Sequence, residues 1–197
     1  MGDVFEGTRQ GCYLYSRHTN PSNSYLGQAI SEMEYTKGAI LSASGMGAIS
    51  STILQICGSN DEIVSSRTIY GGTYAFMKNY LPKFQINTSF VDTTKIDQIE
   101  SAITKKTKMI FCETMSNPLL EVSDIYAISK LAKKHNVLLV VDNTFTPMIF
   151  SPARMGADVV IHSLTKFING TSDTVGGVIC SNEEFISDLI DVNSGSA

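Results

Sequence analysis

The feature that most constrains this 197-residue chain is a rhythm in which short apolar runs alternate with stretches whose apolar residues recur at helical spacing. VLLVV at 137–141 is the clearest run, apolar at every position, as in a strand covered on both faces. Further strands are read at 39–42, 62–65, 86–91, 108–112, 159–161 and 176–180. Between them the pattern predicts helices at 24–35, opened by Ser24, and at 46–57. Others are expected at 73–81, ending before Pro82, at 96–104, at 123–135 with Ser123 as cap, and at 183–192. Such alternation predicts an α/β domain around a largely parallel sheet. Residues 1–23 fit the rhythm poorly. They hold the polar, aromatic segment YLYSRHTNPS at 13–22, which reads as an extended arm and leaves 24–197 as the α/β domain.

A composition of 43% hydrophobic and 17% charged residues supplies a core. The net charge of −4 offers no basic footprint for nucleic acid. No apolar run reaches the roughly 18 residues that a membrane span needs. Residues 1–10 lack a signal-peptide core, so the expected location is the cytoplasm. Cys12, Cys57, Cys112 and Cys180 show no metal-ligand spacing and read as reduced thiols, mostly buried. His18, His135 and His162 form no HxxxH or HExxH pattern, so no metal site is expected.

Ligands of open α/β sheets sit beyond the carboxyl ends of the strands, so the residues following each strand matter most. They are Ser44-Gly45-Met46-Gly47; Tyr70-Gly71-Gly72-Thr73; Glu113 with Asn117-Pro118; Asp142-Asn143-Thr144; and His162-Ser163-Leu164-Thr165-Lys166. Ser-Gly-x-Gly at a helix start presents N–H groups and a positive dipole end to an anion, and equally reads as a serine-capped tight turn. It is neither a Walker loop nor GxGxxG, because no Gly-Lys-Ser/Thr follows and position 50 is serine. Asp142 ends an apolar strand, where a carboxylate is costly without a cationic partner. A protonated pyridine nitrogen is such a partner, and a helix cap or an internal salt bridge is the plainer alternative. Lys166, beside the hydroxyls of Ser163 and Thr165, is placed to hold an aldehyde while the hydroxyls hold a phosphate. An exposed loop lysine is its plainer reading.

At these residues the sequence resembles the pyridoxal-5′-phosphate (PLP) enzymes of Cys/Met metabolism, which share the aspartate-aminotransferase-like (type I) fold. That group includes methionine γ-lyase, the cystathionine lyases and γ-synthase, and the O-acetylhomoserine sulfhydrylases. The resemblance runs from YSRHTNPS at 15–22 through SGMGAIS, YGGTYAFM, ETMSNP, VVDNTF, GADVVIHSLTKFING and GGVIC. It implies that Lys166 holds PLP and later moves protons. It also implies that Asp142 pairs with the ring nitrogen, and that Tyr70 stacks on the ring and serves as acid–base group near the leaving sulfur. Ser44, Gly45, Met46, Ser163 and Thr165 would hold the phosphate, and Asn117 would touch the ring hydroxyl. Tyr15 and Arg17 would reach the phosphate of a neighbouring subunit, making a homodimer or homotetramer with shared sites. The implied substrate is a small sulfur amino acid, with a methionine γ-lyase-like α,γ-elimination ahead of transsulfuration or sulfhydrylation. A catalytically incomplete PLP-binding piece is the alternative of another class. Gly72, where many bacterial methionine γ-lyases carry cysteine, leaves the substrate open. Measured against the family, most of the N-terminal segment and the C-terminal small domain are expected to be missing, and with them the arginine for the substrate carboxylate.

Overall fold

A computed structural model describes residues 12, 13, 15, 16 and 20–194, the last five by backbone alone. The first helix, α1 (Pro21–Glu34), begins three residues before the expected Ser24. Asn20 caps it, accepting the Asn23 N–H at 2.9 Å, and Pro21 fills the first turn, where its missing N–H costs nothing. There follow β1 (Gly38–Ser42), α2 (Gly45–Ile56), β2 (Glu62–Ser66) and α3 (Gly71–Ala75). β3 (Asn87–Val91), α4 (Ile96–Ala102) and β4 (Thr107–Glu113) come next, then α5 (Ile125–His135) and β5 (Leu138–Asp142). β6 (Val159–Ser163), β7 (Gly177–Ser181) and α6 (Glu183–Ser194) complete the order.

Two further helix expectations are corrected. The segment expected as one helix over 73–81 starts at Gly71, loosens into a π-type turn (Phe76–Tyr80) and tightens into a 3-10 turn (Leu81–Phe84). Pro82 therefore lies inside the last turn instead of beyond it. A proline cannot donate to the helical ladder, and the change of winding accommodates it. α5 is capped by Asp124, which accepts the Ala127 N–H at 3.0 Å, while Ser123 shares a hydrogen bond with Thr93.

The seven strands form one sheet in the order β1-β7-β6-β5-β4-β2-β3. Every neighbouring pair is parallel except the two that involve β7, which runs against β6 and β1. The reversal follows from the β6–β7 connection. Instead of crossing over the sheet it turns back, and Leu164 N–H donates to the Gly176 carbonyl at 2.9 Å.

Alternation along the central strands sends side chains to opposite faces, and both faces are apolar. Met109, Phe111, Val140 and Ile161 pack with Ile49 and Ile53 of α2. Ile110, Cys112, Leu139 and Val141 pack with Ile128 and Leu131 of α5. Val160 and Val178 pack beneath Ile30 of α1. Cys57, Cys112 and Cys180 are free and buried, and burial pushes all three thiols up, those of Cys57 and Cys112 to about 12. Cys12 is free and exposed. No helix among the described residues is long and apolar enough to cross a membrane.

Candidate active site

The two-residue period of the strands decides which polar groups meet. On β4, Glu113 has the parity of Phe111 and Met109; on β5, Asp142 has that of Val140. On β6, Ser163 has the parity of Ile161. All three therefore emerge at the carboxyl ends of adjacent strands on the α2 face, and register sets Glu113 directly beside Asp142. His162 has the opposite parity. Its Nε2 lies 2.7 Å from Glu34 Oε1 of α1, so it belongs to a buried pair behind the sheet edge.

Over this edge lies a cleft of about 520 Å³. Ser44, Gly45, Met46, Tyr70, Asn117, Asp142, Ser163, Thr165 and Lys166 all line it. Nine of the eleven site residues expected from sequence are thus gathered in one place. Tyr15 is 60% exposed and is not among the lining residues, and Arg17 lies outside the described residues. The cleft also includes Glu113, Thr144, Phe145 and Phe167, which sequence reading did not select as site residues. Strand parity was the available signal for Glu113, since it ends an apolar strand in phase with Phe111. Phe145 and Phe167 meet edge-on with centroids 5.1 Å apart, a contact visible only in three dimensions.

The anion end of the cleft is built at the start of α2. Ser44 caps that helix by accepting the Gly47 N–H at 2.9 Å. Gly45 and Met46 N–H, at the positive end of the helix dipole, have no acceptor among the described residues. The Ser163 hydroxyl and the Lys166 ammonium likewise lack protein partners among the described residues. Close packing forms this cradle: a Cβ on Gly45 would come within 2.6 Å of Ser163 Cβ. Gly177 of β7 passes just behind, where an added Cβ would strike the Ser44 carbonyl oxygen and come within 2.6 Å of Ser42 Oγ. Because the first obstacle is backbone of the turn that forms the cradle, and the second is a hydroxyl bonded to that same carbonyl at 2.8 Å, Gly177→Ala is expected to lower stability by about 3 kcal/mol. Chemical denaturation measures the loss, and an unchanged midpoint would contradict this packing.

Lys166 lies in the returning β6–β7 connection, within a π-type turn (Leu164–Ile168) but with non-helical φ −97° and ψ −114°. Thr165 anchors the turn, its Oγ1 accepting the Gly176 N–H at 3.1 Å. Asp142, 8% exposed, accepts the Thr144 N–H at 2.9 Å. Burial raises its carboxyl pKa, and the Thr144 bonds and the charge of His162 offset only part of that. Burial and the adjoining Asp142 charge push Glu113 up to about 7. Tyr70, 51% exposed, stands at the cleft, and a Cβ on Gly72 would come within 2.6 Å of its ring. Position 72 thereby bears on where the ring of Tyr70 can stand.

The family model of the Cys/Met metabolism PLP-dependent enzymes matches residues 1–195. The chain belongs to that family. It is 43% identical over 186 residues to the methionine gamma-lyase of Arabidopsis thaliana, covering 93% of this chain and 42% of that protein. It is 41% identical to the L-methionine gamma-lyase of Fusobacterium nucleatum subsp. polymorphum, over 90% of this chain and 45% of that one. A crystal structure of metB from Corynebacterium glutamicum superposes with a TM-score of 0.91 at 35% identity, covering 96% of this chain and 50% of that chain. The chain thus spans under half the length of the curated relatives it matches. The α/β fold with its mostly parallel sheet is that of a PLP enzyme. PLP is the family's cofactor, and the donor set fits it: N–H groups and a hydroxyl, without partners among the described residues, for a phosphate, an amine for an aldehyde, and a buried carboxylate for a ring cation.

Proposed function

We propose that this chain carries the PLP-binding part of a carbon–sulfur lyase of sulfur amino-acid metabolism. The reaction is methionine γ-lyase-like: L-methionine and water give 2-oxobutanoate, ammonia and methanethiol. The observation that carries the chemistry is the convergence on one cleft of a lysine and a helix N-terminus without partners among the described residues, and of a buried carboxylate. The choice of substrate rests on the two methionine gamma-lyases at 43% and 41% identity.

When bound, PLP supplies an electron sink that lets the carbon–hydrogen bonds near the substrate amine ionise. Gly45 and Met46 N–H, with Ser44, Ser163 and Thr165, would hold the phosphate, and Asn117 would meet the ring hydroxyl. Asp142 holds the proton on the ring nitrogen, which relieves the cost of its own burial. Lys166 Nζ anchors the cofactor, then takes and returns protons at the substrate carbons. Tyr70 would cover the ring, and its Oη would deliver a proton to the departing sulfur.

The arm reading of residues 1–23 belongs to the same proposal, with 24–197 as the PLP-binding domain. In it Tyr15 and Arg17 serve a neighbouring subunit of a cytoplasmic homodimer or homotetramer. A transsulfuration reading, by a cystathionine lyase, a synthase or a sulfhydrylase, has its own support. A cystathionine gamma-lyase of Bacillus subtilis is 42% identical over 85% of the chain. A catalytically incomplete PLP-binding piece also stays in view, because under half of the curated relatives' length is spanned. Incubating the purified protein and PLP with L-methionine or with L-cystathionine separates these readings. Methanethiol and 2-oxobutanoate from methionine are expected. Cleavage of cystathionine alone would move the assignment to transsulfuration. A cofactor absorption band without turnover of either would identify a binding piece.

A further inference from the structure

Two carboxyl side chains line the cleft among the described residues, and the proposed chemistry uses only Asp142. The other, Glu113, is 7% exposed. Its Oε1 accepts the Tyr70 N–H at 2.7 Å, and its Oε2 accepts the Asn117 N–H, more weakly, at 3.4 Å. Tyr70 leads into α3, 43 residues earlier in the chain, with φ −47° and ψ 134° and no side-chain cap of its own. Asn117 lies in the loop after β4. Neither amide has another acceptor among the described residues.

We infer that Glu113 is a positioning residue: with one oxygen on each loop, it fixes where Tyr70 and Asn117 stand at the cleft. This rests on the site reading proposed above, which assigns both residues to the cofactor. A carboxylate suits the task because it only accepts, through two oxygens, and charge-assisted bonds are the stronger kind. Protonation turns one oxygen into a donor and loosens the hold. Burial and then the charge of Asp142 on β5 push the pKa of this carboxyl up to about 7. Tyr70 and Lys166 are the other titratable groups lining the same cleft, while Cys112 points to the opposite face. The two loops are accordingly held more firmly as pH rises through about 7.

Amide exchange followed residue by residue by NMR tests this without cofactor. In Glu113→Ala the Tyr70 and Asn117 amides should exchange about tenfold faster or more, the scale of a lost charge-assisted hydrogen bond. The Ile110 amide inside β4 should keep its parent rate. Glu113→Gln retains one carbonyl oxygen and should retain protection at one of the two amides. In a PLP titration at about pH 8, Glu113→Ala should bind about tenfold more weakly, and Glu113→Gln should bind between it and the parent. The parent should bind PLP more tightly at about pH 8 than at about pH 6, and Glu113→Gln should lack the part of that tightening that Glu113 contributes. Parent exchange rates at Tyr70 and Asn117 in both variants would overturn the inference, and so would parent PLP affinity with an unaltered pH profile. Should Glu113→Ala fail to fold, Glu113→Gln decides by the same two criteria. Absence of a cofactor band in the parent would count against the site reading, and the amide rates would still decide the clamp.

Discussion

Replacing Lys166 with alanine is expected to abolish the visible absorption band of bound PLP and to leave the fold intact. The side chain is exposed in the cleft, and among the described residues it has no hydrogen bond or ion pair to lose. Truncation should therefore change stability by less than about 0.5 kcal/mol, as at other surface positions. Turnover should fall by at least the roughly 10²–10⁴-fold that a positioned acid–base group supplies, because the same amine also anchors the cofactor. A visible spectrum beside a thermal melt reads both effects. A retained band would assign the cofactor to another amine and remove Lys166 from the mechanism. A lost band with a collapsed melting transition would show that the π-type turn around Lys166 is structural.

Asp142→Asn is expected to move stability and cofactor affinity in opposite directions. The substituted amide oxygen can still accept the Thr144 N–H, so the local geometry survives the exchange. What changes is charge. The folded cofactor-free protein raises the pKa of Asp142 because burial disfavours the carboxylate. A carboxyl whose pKa is raised on folding contributes stability that is present below its unfolded pKa and is lost as pH rises through the folded value. The asparagine variant has no such loss at this position. It should be more stable than the parent at about pH 8, by on the order of 1 kcal/mol, and close to it at about pH 4. Glu113, pushed up to about 7, contributes a slope of the same sign in both proteins. With cofactor the comparison reverses: the parent carboxylate gains a cationic partner and the amide does not. PLP affinity should drop roughly thirtyfold or more, the scale for truncating one member of a buried, hydrogen-bonded charge pair. Denaturant midpoints at the two pH values and a PLP titration measure these quantities. An asparagine variant that is less stable at about pH 8 and binds PLP as well as the parent would show that Asp142 is only a cap for Thr144.

The α/β class, the central strands and most of the residues that line the cleft were legible in the order of amino acids alone. The reason is physical: apolar periodicity is a local property, and VLLVV must be covered on both faces wherever it lies. The residues that follow each strand then fall at one edge in any parallel sheet, which is how Asp142, Ser163 and Lys166 were legible before the fold was known. The Asn20 cap, four residues ahead of the expected Ser24, shows the limit of such reading. Several polar residues there compete to cap, and packing of α1 on the sheet selects among them. Asp124 displaced Ser123 in the same way, and the winding around Pro82 depended on how the chain was required to continue.

Three further matters depended on how the elements meet in space. Nothing local required β7 to run antiparallel, because the length of a connection does not state on which side the chain returns. The register of β4 against β5 brought Glu113 beside Asp142, whose charge adds to burial in raising the Glu113 carboxyl. A single step of parity sent His162 to Glu34 behind the sheet and Ser163 into the cleft in front of it. A strand's pattern states which side chains share a face, and its neighbours alone state what each of them meets.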